Sequence, residues 1–465
     1  MTVSTMIRLL RLRSVLAALA LWPLALAGQA TAVNGTLPED LLPGLKTILA
    51  EAMNLAPRML DQRITFAQAE AAKIQAASGL YPHLTGSSSY GMTRSASDTG
   101  NASSGRGFGY GVGISQSIFQ EGSVKAAADV GKIGEQIAKN NYAEAYRTLL
   151  GTLRYQYLQL IYKKALLNQT RRQVETQKKE LAYTQDNVAR GLSAPDVLPA
   201  GETAVLAVQL AADRQTQDFE NSRRLFARLA GQVAFAESAV PDAIPEARLP
   251  DGASAVLLAN FLRGGVSDTP QAQTYALYLR QSELNYRTAK YVNYPKISLG
   301  LGYNNSANIA PDASGNVTTS FVTTQSASVG MSFTLFDAGS ARAGKTIALN
   351  NRRMSERQLQ TYIDTTRDEA ENREKQVSFE YRAMELAARN LASAASALAV
   401  DKDYRTSGQR ADLDVERSTT AYEVSEIAAF AARASFLQQW SDFVSLVGAD
   451  PMMNQLPASY LNHGQ

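Results

Sequence analysis

Cysteine is absent from all 465 residues, which excludes disulfides, thiolate metal sites and a lipid-modified N-terminal cysteine. Histidine is almost absent: His83 and His463 leave little for zinc ligation or acid–base chemistry. No Ser/His/Asp, Cys/His or paired-carboxylate constellation stands out, so the chain reads as a non-enzyme that needs no cofactor and no metal. An excess of one charge is missing too. Lys and Arg total 46 against 43 Asp and Glu, a net +3 that gives no pull toward nucleic acid. Beyond the first 32 residues no run approaches the ~20 apolar residues of a spanning helix. If such a chain enters a membrane, it must do so as a β-barrel.

The N-terminus has what the rest lacks. Arg8, Arg11 and Arg13 precede the apolar run Val15 to Ala27, which ends near Ala30-Thr31-Ala32. A basic flank, a short apolar core and a small-x-small site mark residues 1–32 as a secretory signal.

The chain is organised around a stretch that occurs twice. Ile118-Phe119-Gln120-Glu121-Gly122-Ser123 closes an alternating segment and opens a long helical one, and Leu335-Phe336-Asp337-Ala338-Gly339-Ser340 does the same. Phe336 lies 217 positions after Phe119 (336 − 119), and the offset persists. Gly191 matches Gly408, Thr203-Ala204 matches Thr420-Ala421, and Gly231 matches Gly448. A register kept that far is an internal duplication. It divides the chain into a first repeat, 33–265, a second, 266–450, and a tail, 451–465.

Each repeat reads alike. Residues from about Leu45 to Ser78 predict one helix of about 35 residues, ended at Gly79 by a residue tolerant of positive φ. In Phe108-Gly-Tyr110-Gly-Val112-Gly-Ile114 large apolar residues alternate with glycine, the period of a strand and not of a phosphate-cradling loop. Tyr81 to Ser95 is its weaker partner across a loop at Ser97 to Gly105. The second hairpin runs from Tyr294-Pro295 through Ile297–Tyr303, loops around Ala310 to Val317, and closes with Ala327 to Leu335. All four strands set large apolar groups on one face and Gly, Ser and Thr on the other. No further strand-like segment exists to cover the apolar face, so lipid must, with Tyr81, Phe119, Tyr294 and Phe336 as an aromatic girdle. Four strands cannot close a barrel and open edges are not tolerated in hydrocarbon, so copies must pool their strands.

From Gly122 to Arg190 there is no proline, and Tyr146, Leu150, Leu153, Tyr157 and Leu160 step by four and three. Val377, Tyr381, Met384, Ala388, Leu391, Ala395 and Leu398 repeat that rhythm. Each long helix turns at Gly191 or Gly408 and returns through a shorter one. Gln232 to Pro270 and the tail are expected to gather midway as a collar.

This order of motifs resembles the TolC family of outer-membrane efflux proteins, in its unlipidated branch. Tyr-Pro opens the first strand of each hairpin, Phe-x-x-Gly-Ser closes the second, and the likeness spans about residues 45 to 450. The resemblance implies a mixed α and β fold: a homotrimer whose protomers each give four strands to a twelve-stranded transmembrane β-barrel, continued into a long periplasmic α-helical coiled-coil barrel. It implies an outer-membrane location, a periplasmic adaptor docked on the turns Arg190, Gly191, Leu192, Ser193 and Ser407, Gly408, Gln409, and an inner-membrane transporter that supplies the energy. It also implies a channel gate. Asp196 and Arg410 fall where the family places an interhelical pair, and Asp414 where it places an acidic ring. At 417, where a second ring would fall, stands Arg417, and Arg405 replaces a gate tyrosine that Tyr404 precedes. The residues also have a local reading: Ser193 as a helix N-cap with Asp196 three positions on, and Asp412 and Asp414 in a first helical turn. Two other functions stay open at this level, a type I protein secretion duct and a pore-less periplasmic coiled-coil scaffold.

Overall fold

Prolines set the first boundaries. Pro43 and Pro57 each occupy the first turn of a helix, where a missing N–H costs nothing. Ala56, before Pro57, is extended (φ −62, ψ 131), as the residue before proline is driven to be. The single helix expected from Leu45 to Ser78 is therefore two, α2 (Pro43–Leu55) and α3 (Pro57–Ser78), preceded by a short α1 (Pro38–Leu41). Gly79 ends α3 in right-handed conformation (φ −61), so positive φ is not its role. The structure, a computed structural model, describes residues 37–96, 102–250, 252–311, 316–457 and 460. The signal segment expected at 1–32 lies outside them, as does His463.

The chain continues as β1 (His83–Ala96), β2 (Ala102–Phe119), α4 (Ser123–Ala189) and α5 (Leu198–Ala230). Across a connection come α6 (Ala253–Asn260), a π turn, α7 (Val266–Asp268) and α8 (Pro270–Lys290). The second repeat adds β3 (Lys296–Pro311), β4 (Val317–Ser332), α9 (Ser340–Thr406) and α10 (Asp412–Leu446). The long helices α4 and α9 are each 67 residues, ~100 Å at 1.5 Å per residue.

The strands form one antiparallel sheet in the order β1-β2-β3-β4, leaving β1 and β4 as edges. They are longer than alternation alone suggested. Ala96 pairs with Ala102, so residues 102–105, expected in a loop, are strand. β4 starts at Val317, ten positions before the expected Ala327, because Thr318 to Ser326 pairs with β3 although all of it but Phe321 and Val322 is polar. It also stops at Ser332, which leaves Phe333 to Leu335 outside. The register gathers the apolar residues on one face: Leu84 opposes Ile114, Ile114 opposes Leu301, and Leu301 opposes Ala327. The opposite face takes Thr85, Gly113, Gly302 and Ser326. A bulge at Ile118 brings Phe119 opposite Ile297 and keeps the apolar column continuous.

The two strand-to-helix junctions repeat in detail. Glu121 (φ 43) and Ala338 (φ 52) are the described non-glycine residues with positive φ, each followed by a left-handed glycine. Gln120 C=O accepts from Ser123 N–H at 2.9 Å, and Asp337 C=O from Ser340 N–H at 3.1 Å. Only the second junction adds a carboxylate cap: Asp337 accepts from Gly339 N–H (3.0 Å) and Ala341 N–H (2.7 Å), which hold its carboxyl below the usual range.

Helix α4 packs against α3 and α5 of its own repeat and against α8 and α10 of the other, while α9 packs against α8 and α10. Its predicted seam is the core: Tyr146, Leu150, Leu153, Tyr157 and Leu160 are all buried. In α9, Val377, Met384 and Leu398 are buried, but Ala395 faces solvent. The two short helices meet end to end beside α4. Gly231, left-handed at the end of α5 (φ 76), sits so close to the α2–α3 break that a Cβ there would lie 2.1 Å from the Leu55 carbonyl oxygen.

A collar crosses the middle of α4. Phe235 packs on Tyr157 and Phe226, Lys164 Nζ donates to Val240 C=O at 2.6 Å, and Arg433 donates to Ile244 C=O at 3.1 Å. The tail reaches the same level at Asp450 and runs on toward the strand end of α4, where Tyr460 stacks on Tyr142 with ring centroids 4.0 Å apart. At its centre Arg154 is fully buried. It donates to Glu39 through Nε (2.9 Å) and Nη2, to Asp450 through Nη1 (2.6 Å) and Nη2 (3.0 Å), and to Ser441 Oγ (3.2 Å). All five guanidinium N–H groups are thus used, joining the N-terminal segment, α4 and the tail.

Candidate functional site

The two helix turns are one structure made twice. Gly191 N–H donates to Val188 C=O (3.0 Å) and Leu192 N–H to Asn187 C=O (2.8 Å). Gly408 N–H donates to Arg405 C=O (3.0 Å) and Gln409 N–H to Tyr404 C=O (2.8 Å). This paired pattern satisfies the last carbonyls of a helix and needs a left-handed residue, here φ 71 and φ 74. Arg190, Gly191, Leu192, Ser407, Gly408 and Gln409 are exposed and Ser193 half-buried, so both tips stand out from the helices.

Charges treat the tips differently. Across the second, Arg405 Nε meets Asp412 at 2.5 Å and Arg410 Nη1 meets Asp401 at 3.2 Å, tying α9 to α10 and its approach. Asp401 is buried and also accepts from Ser418 Oγ. The first tip has, among the described residues, only the pair Asp186–Arg190 (2.9 Å), within the last turn and cap of α4. Further up, Arg172 of α4 meets Glu423 of α10 at 2.5 Å, at a groove between the repeats.

The residues singled out in the sequence fall as follows. Arg410 is held by Asp401, on its own hairpin, and not by Asp196. Asp196 is exposed in the 3-10 turn Pro195–Val197 before α5 and forms no ion pair among the described residues. Ser193 is not a cap: the turn starts behind Ala194, with Pro195 in first place and no side-chain cap. Asp412 and Asp414 do lie in the first turn of α10, where the helix dipole favours an anion. Asp414 is half-buried, and Arg417, one turn on, approaches it at 3.8 Å and offsets its charge. Asp401 was missed, yet it had a signal. It lies three positions after Leu398, beside the apolar stripe whose four–three rhythm would continue to 402, and a buried acid at such a place requires a partner.

The described residues contain no cluster of His, Asp or Glu able to hold a metal ion, and no described helix is long and apolar enough to cross a membrane. The sheet, with its one apolar face, is the element suited to lie in a membrane.

Comparison with known proteins agrees. No curated protein matches the chain in sequence. Its fold is similar to that of the CmeC outer membrane channel of Campylobacter jejuni (TM-score 0.68, 16% identity, 90% of this chain and 89% of that one). It is likewise similar to the outer membrane protein VceC of Vibrio cholerae (TM-score 0.63, 13% identity, 89% and 99%). The open state of the MtrE outer membrane channel of Neisseria gonorrhoeae aligns with TM-score 0.63 at 17% identity, over 87% and 89%. The family model described as outer membrane efflux protein matches residues 48–231 and again 267–449, one match per repeat, and on that evidence the chain belongs to the outer membrane efflux protein family.

Proposed function

We propose that the chain is the passive exit duct of a tripartite efflux assembly. Three copies pool their sheets into a closed twelve-stranded barrel, and their helices continue it as a tunnel across the periplasm. A periplasmic adaptor docks on the turns around Gly191 and Gly408, and an inner-membrane transporter drives the flow. The observation that carries this reading is the sheet: four strands, an apolar face, and unpaired edges at β1 and β4. Backbone N–H and C=O groups at those edges cannot stay unpaired in hydrocarbon, and sister copies satisfy them. The structural repeats are taken as 33–265 and 266–450.

The gate lies at the helix turns. Arg410 is shared between two acids: Asp401, which holds it within its hairpin, and Asp196 of the other hairpin, which has no ion-pair partner of its own among the described residues. Transfer of Arg410 to Asp196 closes the tip, and Asp414 lines the constriction. Single-channel recording in planar bilayers tests this: Arg410→Ser and Asp196→Asn each raise the resting conductance. Unchanged conductance in both variants removes the gate assignment. A protein that runs as a monomer in detergent, or partitions into buffer without it, removes the duct.

A further inference from the structure

We infer that Arg94 and Arg106 form a binding site for the phosphorylated headgroup of an outer-leaflet lipid. The four strands carry no Asp or Glu, and their cationic residues are Arg94, Arg106 and Lys296. Lys296 begins β3 and alternates with Ile297, so it lies on the polar face at the helix-proximal rim. Arg94 and Arg106 alternate in phase with Tyr90, Met92, Phe108 and Tyr110 and therefore share the lipid-facing side. They are the charged side chains of that face within the strands. Met92 opposes Arg106 and Ser104 opposes Arg94, which makes the arginines diagonal neighbours on adjacent strands. Such positions are ~7–8 Å apart, so two guanidinium groups can converge on one phosphate.

Their height fits a headgroup. Arg106 is 13 residues from Phe119 (119 − 106) along β2. At ~3.3 Å per residue and ~40° tilt that is ~33 Å above the helix-proximal girdle, past an apolar band of ~25 Å. The row just below, Tyr90, Phe108 and Phe321, supplies the second aromatic rim. Both arginines are exposed, and neither forms an ion pair among the described residues. An arginine that only snorkelled to water would not need a second beside it on an otherwise uncharged face. A pair of forks on rigid strands, over aromatic rings and facing lipid, matches a phosphate anchored in the leaflet.

The inference rests on the sheet's place in the outer membrane and not on the tripartite reading, and lipid binding is measured without reference to conductance. Binding of bis-phosphorylated lipid A to the full-length protein in mild detergent is followed by native mass spectrometry. Arg94→Gln/Arg106→Gln is expected to bind about thirtyfold more weakly, the effect of ~1 kcal/mol per arginine at 1.4 kcal/mol per tenfold. Dephosphorylated lipid A should bind the wild type and the variant equally weakly, and Lys296→Gln should bind like the wild type. A double variant within threefold of the wild type overturns the site, as does an equal loss in Lys296→Gln. Competition by micromolar inorganic phosphate would also overturn it, by assigning the pair to free anions. Should the glutamine variant fail to fold, Arg94→Lys/Arg106→Lys keeps the charge and removes the fork. Weakened binding there supports the site, and wild-type binding refutes it.

Discussion

Replacing Arg154 by Met removes the cation on which both ends of the described chain converge. The side chain is fully exposed to no solvent, and Glu39 and Asp450 beside it are 4% and 2% exposed. Met approximates the stem but leaves two buried carboxylates facing each other without a counter-charge, together with an unpartnered Ser441 hydroxyl. Breaking a buried ion pair from one side costs ~3–5 kcal/mol, because the remaining charge is neither paired nor hydrated. A domain of 150–250 residues shifts ~2–4 °C per kcal/mol, and a longer chain about half of that, so Arg154→Met should unfold about 3–10 °C earlier. Far-UV circular dichroism of the detergent-solubilised protein at a fixed scan rate reads this, since a membrane protein's midpoint depends on rate.

The pH dependence tests the cause. Burial raises the Glu39 carboxyl above its ordinary value of 4.5, by more than Arg154 lowers it. An acid with a raised native pKa binds its proton more tightly when folded, so the contribution of Glu39 to stability is greatest below 4.5 and falls as pH climbs through the raised value. Without Arg154 that fall steepens, because charging Glu39 then also opposes Asp450. The deficit of Arg154→Met should therefore be larger at pH 8 than at pH 5, and Glu39→Gln added to it should recover part of the loss at pH 8. A variant within ~1 °C of the wild type, or a deficit equal at both pH values, would refute the account.

Other perturbations have equally direct readouts. Gly231→Ala forces a Cβ to 2.1 Å from the Leu55 carbonyl at positive φ, so it should separate the α2–α3 break from α5 and expose Gly231 and Ala56 to amide exchange. Ala338→Gly relieves a left-handed alanine (φ 52) and should stabilise by ~1 kcal/mol, seen as a midpoint shift of about 1–2 °C upward. Asp337→Asn should raise exchange at Ala341 N–H at neutral pH. Because the Asp337 carboxyl is held low by Ala341 and Gly339, the wild type should lose the same protection only as pH drops through that depressed value. Asp401→Asn should free Arg410 from its own hairpin and lower the resting conductance, the opposite sign to Arg410→Ser; a rise would reverse the assignment of Asp401.

What the sequence made legible is what periodicity encodes. The seam from Tyr146 to Leu160 was readable because burial of one helical face imposes a 3–4 spacing, and the two glycine turns because a left-handed terminus restricts residue choice. Strand ends were less legible. Thr318 to Ser326 is polar apart from Phe321 and Val322, one on each face, yet pairs along its length with β3, because ladder hydrogen bonds do not depend on side chains. The break at Ala56 was written in Pro57 but was masked by strong helix formers on both sides. Arg154 and Asp401 were the hardest to read. Each lies beside an apolar stripe as an isolated charge, and the partners that justify it are distant in sequence, 115 (Glu39) and 296 (Asp450) residues from Arg154 and nine (Arg410) from Asp401.

The duplication explains why the two tips can behave differently while their backbones match. Gly191 and Gly408 impose the same chain reversal and the same pair of terminal hydrogen bonds, so geometry alone cannot distinguish the hairpins. The difference is in the side chains that flank the reversal. The second tip carries two cross-helix ion pairs where the first has one pair within a single helix. Exposed pairs each contribute only ~0.2–1 kcal/mol, but Asp401 is buried and hydrogen-bonded by Ser418, which makes its contact with Arg410 the stronger restraint. The second tip is thus restrained in the structure by two ties that the first tip lacks. A repeat can hold the fold in common and still differ in its ties, and in the gate proposed above the second hairpin would be the fixed jamb and the first the moving leaf.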